Sequence, residues 1–202
     1  ADPGRTILGV DQHAWLAEQL RASVRHDVDW RLLGQQLMFG QLLGDDGLLL
    51  NLDQWDGYPH SRAQILDQLE AERISNMVVL TGDIHTAWAV DIARDPMGEG
   101  YDPDTGRGSL AVELVTSSVT SPGPKGEPEA LREREATIVG TRPHMKYVNL
   151  REHGYLLLDI DAERALGEYW FVDRLLERGG TERLGAAYLS ESGANHLIEQ
   201  TG

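Results

Sequence analysis

An aspartate and a histidine two positions apart follow an apolar run in the middle of the chain. Residues 77–81 read Met-Val-Val-Leu-Thr, and Gly-Asp-Ile-His occupies 82–85. The apolar run predicts a strand buried on both faces, and α/β proteins place their sites where such strands end. If the backbone stays extended, Asp83 and His85 point to one side, where carboxylate and imidazole suit Fe, Zn, Mn or a hard divalent ion. Alternatively, Asp83 caps a helix and His85 packs on Trp88.

Two adjacent amides follow a second predicted strand. The segment 29–33 is short and apolar, and Gly34, Gln35 and Gln36 come directly after it. Amides buried in a protein need hydrogen-bond partners, so this pair is poor core material. We therefore expect either a polar site or a solvated loop here.

An arginine stands near the start of a predicted helix. The segment 55–62 reads Trp-Asp-Gly-Tyr-Pro-His-Ser-Arg, which could line the mouth of a pocket. A cation in the first helical turn is mildly unfavourable, because the amino end of a helix is itself positive. The position of Arg62 makes sense if it pairs with Asp56 or with a bound anion.

Two histidines lie beside cationic and aromatic residues. His144 belongs to Arg-Pro-His-Met-Lys-Tyr and His153 to Arg-Glu-His-Gly-Tyr. Each alone fits a structural role, whereas two at one site would indicate catalysis. Residues 116–123 supply hydroxyls and a Pro-Gly turn, but the chain has no Gly-x-Ser-x-Gly elbow, so we do not expect a serine-hydrolase triad.

Helices and strands that would position these residues are spread along the chain. Helices are predicted from Asp11, from Pro59 or Ser61 up to Asn76, and over 128–139. The first is expected to present an apolar face made of Trp15, Leu16, Leu20 and Val24. Strands are predicted at 29–33, 77–81, 110–116, 153–160 and 166–172, with a turn at 161–164. Loops are predicted at 40–58, 94–108 and 117–128, and the tail from 174 has weak strand content. The pattern indicates one mixed unit.

The composition narrows the classes of function. The 202 residues suit one domain or a large part of one, and 41% hydrophobic residues can form a core. The net charge of −15 argues against binding to nucleic acid, and an anionic substrate would need local positive charge such as a metal. The absence of cysteine excludes disulfides and thiolate chemistry. No apolar run reaches the ~18 residues of a membrane span. No signal peptide is visible, but the chain does not start with Met.

Seven segments, in order, resemble the C-terminal half of PhoD-type alkaline phosphatases and phosphodiesterases, within the metallophosphoesterase superfamily. They are RTILGVDQHAWL, WRLLGQQLMF, WDGYPHSRAQILDQL, NMVVLTGDIHTAWAVDI, VELVTSSVTSPG, PHMKYVN and HGYLLLDI. The resemblance implies an α/β fold, a metallophosphoesterase-like β-sandwich flanked by helices. It also implies that residues 1–202 form the C-terminal part of a single domain of this kind.

The resemblance assigns roles to individual residues. Related enzymes have Gly-His-x-His where this chain has Gly-Asp-x-His, so Asp83 and His85 are expected to bind metal. Gln35 stands at the place of another superfamily ligand and is expected to be a weak ligand or to support one. His144, His153 and Arg62 are candidates to contact phosphate or protonate the leaving group. The expected cofactors are Ca, Fe, Mn or Zn ions.

The resemblance also implies a partner. The other metal ligands of the family lie in an N-terminal half that this chain lacks, so the chain is expected to be a portion of a longer protein, one of two paired chains, or a truncated product. The predicted function is metal-dependent hydrolysis of phosphate mono- or diesters, with this chain supplying part of the site. The alternatives are a non-catalytic half-domain that serves in assembly or metal binding, and a small-ligand binding module. Members of the family are usually exported, so a periplasmic or extracellular location is expected.

Overall fold

A computed structural model describes residue 2 and residues 4–44 and 51–200 of the chain. The helices of this part are α1 (Gly9–Arg25), α2 (Pro59–Ala71) and α3 (Pro128–Thr141), with a 3₁₀ turn at Trp55–Gly57. Its strands are β1 (Arg31–Gly34), β2 (Met77–Thr81), β3 (Ala87–Ala93), β4 (Ser109–Val115), β5 (Met145–Asn149), β6 (Gly154–Ile160), β7 (Arg164–Val172), β8 (Glu182–Glu191) and β9 (Ile198–Glu199). None of these helices is long and apolar enough to cross a membrane.

The strands form two sheets. The larger has the order β1-β2-β4-β3-β5, in which β3 runs antiparallel to both of its neighbours and the other pairs are parallel. The smaller is antiparallel, with the order β6-β7-β8-β9. The carboxyl ends of β1, β2, β4 and β5 therefore share one edge of the larger sheet with the amino end of β3. We call this line of strand ends the Asp83 edge. The opposite line of strand ends, where β3 ends, is the Asp91 edge.

The two sheets pack on each other, and the three helices cover the outer face of the larger sheet. Between the sheets lie Val78, Ala87, Ala89, Val112, Leu114, Ala165, Tyr169, Phe171 and Tyr188. Beneath the helices lies a second cluster, which includes Leu16, Leu20, Ile65, Leu66, Leu69, Val79, Trp88, Val90, Leu131 and Ile138. This arrangement confirms the predicted β-sandwich flanked by helices.

The first helix differs from its prediction. It begins at Gly9, so Asp11 lies in the first turn and is not a cap. Leu16 and Leu20 are buried as expected, but Trp15 and Val24 are 59% and 46% exposed. The apolar pattern is therefore wider than the surface that the described part of the chain covers.

Most other elements lie close to their predicted positions, with four exceptions. Strand β3 was not predicted, and β5 was not predicted between the two histidine segments. Strand β8 spans 10 residues in a tail that was predicted to have weak strand content. Helix α2 ends at Ala71, before Asn76, because Arg73 takes a left-handed φ of 53°. Residues 45–50 of the predicted loop 40–58 lie outside the described residues.

Candidate functional site

The segment between β2 and β3 is a strained bend. Asp83 and His85 have φ values of 64° and 60°, in the left-handed region that non-glycine residues seldom adopt. Ile84 N donates to Gly82 O at 2.7 Å, which closes a three-residue γ-turn around Asp83. The expectation of an extended segment was therefore wrong. Capping was wrong too, because a strand and not a helix follows. Strain of this kind costs about 1–3 kcal/mol per residue and concentrates at functional sites.

His85 is held by one ring nitrogen. Its Nδ1 lies 2.9 Å from the carbonyl oxygen of Pro122. Because a carbonyl can only accept, Nδ1 carries the proton, and Nε2 of the neutral ring keeps its lone pair. Histidines that bind metals are typically oriented in this way by a carbonyl or carboxylate on the other nitrogen. The ring is therefore prepared to act as a ligand through Nε2.

Asp83 presents a carboxylate at the surface of the same bend. Its Oδ2 lies 3.5 Å from Nε2 of Gln54, a long contact, and the side chain is otherwise exposed. A carboxylate that retains most of its acceptor sites can bind a hard cation. The bend thus offers one oxygen and one nitrogen donor.

Gln35 lies at the end of β1, and its side-chain amide makes hydrogen bonds through both its oxygen and its nitrogen. Oε1 accepts from the backbone N–H of Leu37 and from Nε1 of Trp55, each at 3.0 Å. Nε2 donates to the carbonyl oxygen of Leu37 and to Oγ1 of Thr81, the latter at 2.7 Å. In this conformation Gln35 fixes the ends of β1 and β2 at the Asp83 edge. A direct bond from Gln35 to a metal would require one of these hydrogen bonds to break.

A buried carboxylate supports this arrangement from below. Glu113 on β4 accepts from Oγ1 of Thr81 at 2.6 Å and from the backbone N–H groups of Phe39 and Gly40 at 2.8 and 2.7 Å. Its complete burial raises its pKa, although these hydrogen bonds oppose the shift. Glu113 was not predicted as part of the site, although a single acid within the apolar strand sequence Leu-Ala-Val-Glu-Leu-Val was an available signal.

His153 reaches the Asp83 edge as well. Its Nδ1 lies 3.1 Å from Oγ and 3.2 Å from the carbonyl oxygen of Ser118. Since Ser118 Oγ donates to the carbonyl of Ser121 at 2.6 Å, Nδ1 of His153 is the donor to Ser118. Its Nε2 is then left with a lone pair. The loop 116–123 therefore anchors both His85 and His153, a role for which its sequence gave no signal.

His144 lies at the other edge of the sheet. Its carbonyl accepts from the backbone N–H of Asp91 and its Nε2 meets the carbonyl oxygen of Gln41, both at 2.9 Å. Asp91 is four residue steps along β3 from Ala87, which is roughly 13 Å of strand. Burial lowers the pKa of His144 to about 4. The structure does not bring His144 to the bend.

Arg62 also reaches the Asp91 edge. Its guanidinium donates to the carbonyl oxygens of Phe39 at 2.9 Å and of Ala93, the last residue of β3, at 3.1 Å. Burial lowers its pKa to about 10, while the nearby Asp56 and Glu113 act against that shift. The expected partner Asp56 instead accepts from the backbone N–H of Leu42 at 2.9 Å. Arg62 therefore ties main-chain segments together at a distance from the bend.

Two hollows flank the Asp83 edge. One, of about 560 Å³, is lined by Gln35, Leu80, Thr81, Gly82, Ser117, Val119 and the first residues of β6. The other, of about 380 Å³, lies beneath Ile84, Thr86 and Trp88, with Arg134 of α3 in its wall. Gly82 lines the first hollow and Ile84 the second, so each hollow reaches the bend at one residue.

The donors at the edge fit part of a metal site. Within the described ranges, no three histidine, aspartate, glutamate or cysteine side chains form a metal-binding group. Asp83 and His85 offer a carboxylate and an imidazole oriented through Nδ1, which are side-chain types that suit Zn, Fe, Mn or Ca.

Comparisons with known proteins agree with the fold. The sequence profile of the PhoD-like phosphatase family matches residues 1–169. Alkaline phosphatase D of Bacillus subtilis (strain 168) is 28% identical over 203 residues, a match that covers 100% of this chain and 32% of that protein. A solved structure described as "Structure of PhoD" superimposes with a TM-score of 0.82 at 25% identity, covering 100% of this chain and 36% of the solved one. The chain thus spans about a third of the length of these relatives. It belongs to the PhoD-like phosphatase family.

Proposed function

We propose that this chain forms part of a metal-dependent site that hydrolyses phosphate mono- or diesters. A single observation carries the proposal, the orientation of the His85 ring. Its Nδ1 is hydrogen-bonded to a carbonyl, and its Nε2 keeps a lone pair for a metal, two positions along the chain from Asp83. The names of the relatives support a phosphoester as substrate. Because the chain covers only a third of those proteins, activity and substrate belong to the proposal.

The residues of the edge would have separate tasks. Asp83 and His85 would hold Ca, Fe, Mn or Zn ions, which lower the pKa of bound water and offset the charge of phosphate. His153, anchored through Nδ1, would hold a proton on Nε2 in its charged form and deliver it to the leaving oxygen. Gln35 would keep the ends of β1 and β2 in register below the bend. The distances described above oppose a phosphate contact for His144 and Arg62.

The rest of the site would come from outside this chain. We place residues 1–202 as the C-terminal part of a single domain, whose remaining ligands would be supplied by a segment that the relatives possess. Two protein ligands are fewer than the three or four that hold a catalytic metal. Following the family, the complete enzyme would act in the periplasm or outside the cell.

A non-catalytic half-domain is the second candidate function. It is favoured by the same count of two ligands, since a site with two protein donors binds metal weakly. In this case the chain would serve as an assembly piece for another polypeptide.

Metal titration tests the two ligands on which both candidates depend. We expect calorimetric titration with Mn²⁺, Zn²⁺ or Ca²⁺ to detect one weak site in the chain, and expect Asp83→Asn and His85→Ala to abolish it. His26→Ala, which alters an exposed histidine at the end of α1, is the matched control. Binding that persists in both variants would sink the assignment of these ligands.

Turnover is tested in a complete protein. In a chimera, this chain replaces the matching third of the Bacillus alkaline phosphatase D. The chimera is assayed with p-nitrophenyl phosphate and bis-p-nitrophenyl phosphate. The function predicts metal-dependent turnover. A folded chimera that binds metal but hydrolyses neither compound would favour the half-domain.

A further inference from the structure

The hollow of about 380 Å³ beneath the bend lies between α3 and the larger sheet, and we call it the α3 hollow. Most of the described side chains that line it are apolar, namely Leu42, Ile84, Trp88, Pro124, Ile138 and Leu150. Protein interiors leave few voids larger than a water molecule, whereas pockets for small molecules hold about 300–1,000 Å³. The α3 hollow therefore has the size and the apolar lining of a small-molecule site.

The α3 hollow is elongated along its helix. Its lining includes Arg134, within α3, and Arg142, which directly follows the helix, and these positions are roughly 12 Å apart along a helical axis. Arg134 lies at the end nearest the Asp83 edge, because its neighbour Glu135 accepts from the backbone N–H of Leu150, just after β5, at 2.6 Å. Arg142 lies at the other end, since it precedes the start of β5. The hollow thus runs from the bend towards the Asp91 edge.

One loop connects the α3 hollow with the candidate metal ligand His85. The carbonyl oxygen of Pro122 accepts from Nδ1 of His85 at 2.9 Å, and Pro124 lines the hollow. A Cβ added to Gly123, between these prolines, would lie 3.4 Å from the carbonyl oxygen of His85, so the loop packs against the backbone of the bend. Ile84 of the bend lines the hollow as well. The segment that orients the His85 ring is therefore also a wall of the hollow.

A cation in the wall of the α3 hollow has no partner. This residue is Arg134, which is exposed and, among the residues that the structure describes, makes no hydrogen bond or ion pair. Other polar groups of the hollow are bound: the guanidinium of Arg142 donates to the carbonyl oxygen of Leu43, and Oγ1 of Thr86 accepts from Nε1 of Trp88 at 2.6 Å. Positive charge is thus available at the end of the hollow nearest the bend, in a chain whose net charge is −15.

We propose that the α3 hollow binds the organic group of the phosphoester, so that the substrates are phosphate esters of elongated apolar alcohols. The phosphate would lie at the bend, on the side of Arg134, and the apolar chain would extend along α3. Entry of the chain removes apolar surface from water, which stabilises the complex in proportion to the area buried. A polar alcohol would gain no such stabilisation. The inference rests on the proposed function, because it names the substrate class of that site.

Binding to the chain is tested without hydrolysis. Hexyl phosphate and ethyl phosphate are both esters of primary alcohols and differ only in the length of the apolar chain. With metals removed by EDTA, NMR titration of the chain with hexyl phosphate should shift the amide signals of residues 84–88 and 134–138. We expect ethyl phosphate to bind at least about tenfold more weakly, because fewer methylene groups enter the hollow.

Ile138→Trp tests the hollow in the chimera, because the larger side chain would fill it. The variant should abolish the preference for hexyl over ethyl phosphate in kcat/KM and leave turnover of ethyl phosphate unchanged. Val139→Trp is the matched control, at a neighbouring position of α3 that is 39% exposed and is not among the lining residues, and it should keep the preference. Thr137→Trp fills the hollow from an exposed position and serves if circular dichroism shows that Ile138→Trp is unfolded.

Arg134→Gln tests the end of the hollow nearest the bend. Because Arg134 would act on the phosphate and not on the apolar chain, kcat/KM for both esters should fall by a similar factor, about twofold to fivefold. The matched control is Arg132→Gln, on the same helix. Arg132 pairs with Glu129 at 3.1 Å and is not among the lining residues, so its variant should change neither ester.

The outcomes separate this inference from the proposed function. Equal binding of the two esters by the chain, signal shifts confined to other residues, or a preference for hexyl phosphate that survives filling of the hollow would overturn the inference. Hydrolysis of both esters with the same kcat/KM would also overturn it and would leave the proposed function in place. Binding of hexyl phosphate in the hollow, without metal-dependent hydrolysis of either ester by the folded chimera, would overturn the proposed function alone.

Discussion

The two edges of the larger sheet each hold an aspartate and a histidine, and the two pairs differ in burial and in hydrogen bonding. At the Asp91 edge, the buried Asp91 accepts from His196 Nδ1 at 2.6 Å, from Leu197 N at 2.9 Å and from the Tyr101 hydroxyl at 2.8 Å. Lys146 Nζ lies 3.5 Å from the same carboxylate. At the Asp83 edge the carboxylate is exposed and has one long contact, and the histidine is bound to a carbonyl instead.

The difference shows that residue type alone does not mark a site. Asp91 uses its acceptors on the chain itself and ties the segment before β9 to the centre of the sheet. Asp83 and His85 keep donor atoms for a ligand, and they do so on a bend with two positive φ values. Interior polar groups whose hydrogen bonds are all made stabilise the fold, whereas polar groups with free acceptor atoms on a strained bend are available for chemistry.

The largest expected effect separates the two histidines. In the chimera, His85→Ala should lower turnover of p-nitrophenyl phosphate by more than about 100-fold, since even changes to groups that orient a ligand cost 10–100-fold. Its unfolding midpoint in urea should change little. His196→Ala should do the reverse, lowering the midpoint through loss of the bond to Asp91 while metal binding persists. Equal losses of turnover in the two variants would remove the distinction between the edges.

The next effect concerns stability at the Asp91 edge. Asp91→Ala leaves His196, Tyr101 and Lys146 without their shared acceptor, and removing one member of a buried charged cluster costs about 3–5 kcal/mol. We expect urea unfolding of the chain to show a loss of that size, and Asp83→Ala to show less than about 1 kcal/mol because the side chain is exposed. A smaller loss for Asp91→Ala than for Asp83→Ala would contradict the comparison.

Much of the fold follows from local sequence. The apolar run 77–81 predicted β2, and the turn at 161–164 predicted the pairing of β6 with β7, because both signals depend on neighbouring residues only. The exposed faces of Trp15 and Leu32 could not be predicted in this way. Periodicity indicates which side of an element is apolar and does not indicate whether a neighbour covers it.

The candidate site was predictable in position and less so in detail. The end of β2 located Asp83 and His85 correctly at a sheet edge, but the φ values of the bend depend on contacts with the loop 116–123. His144 and His153 have similar sequence surroundings and lie at opposite edges, because β5 runs between them. Five strand residues span roughly 17 Å, so recognising the strand 145–149 would have separated the two histidines from the sequence.

A pH effect should follow from the burial of His144. Burial lowers its pKa to about 4 in the folded chain from an ordinary value of 6.5. Between these two pH values the unfolded chain binds a proton at His144 and the folded chain does not. The contribution of His144 to the free energy of unfolding should therefore be fully present above pH 6.5. It should fall by up to about 3 kcal/mol as the pH drops towards 4. His144→Gln keeps an N–H for the carbonyl of Gln41 and does not titrate. Urea unfolding at pH 7.5, 5.5 and 4.5 should give a shallower acid loss for this variant, and identical slopes would show that His144 titrates normally.

The smallest effect tests how His153 is held at the Asp83 edge. Ser118→Ala removes the hydroxyl at 3.1 Å from Nδ1 but keeps the carbonyl at 3.2 Å, so the ring retains one of its two acceptors. Loss of one shared hydrogen bond is worth about 1 kcal/mol, which corresponds to a fall in kcat of roughly fivefold in the chimera. KM should stay unchanged if Ser118 acts only by orienting the ring of His153. His153→Ala should cost more than Ser118→Ala, since it removes the whole of the proposed proton donor. If Ser118→Ala matched His153→Ala in kcat, the hydroxyl and not the carbonyl would be the group that orients the ring.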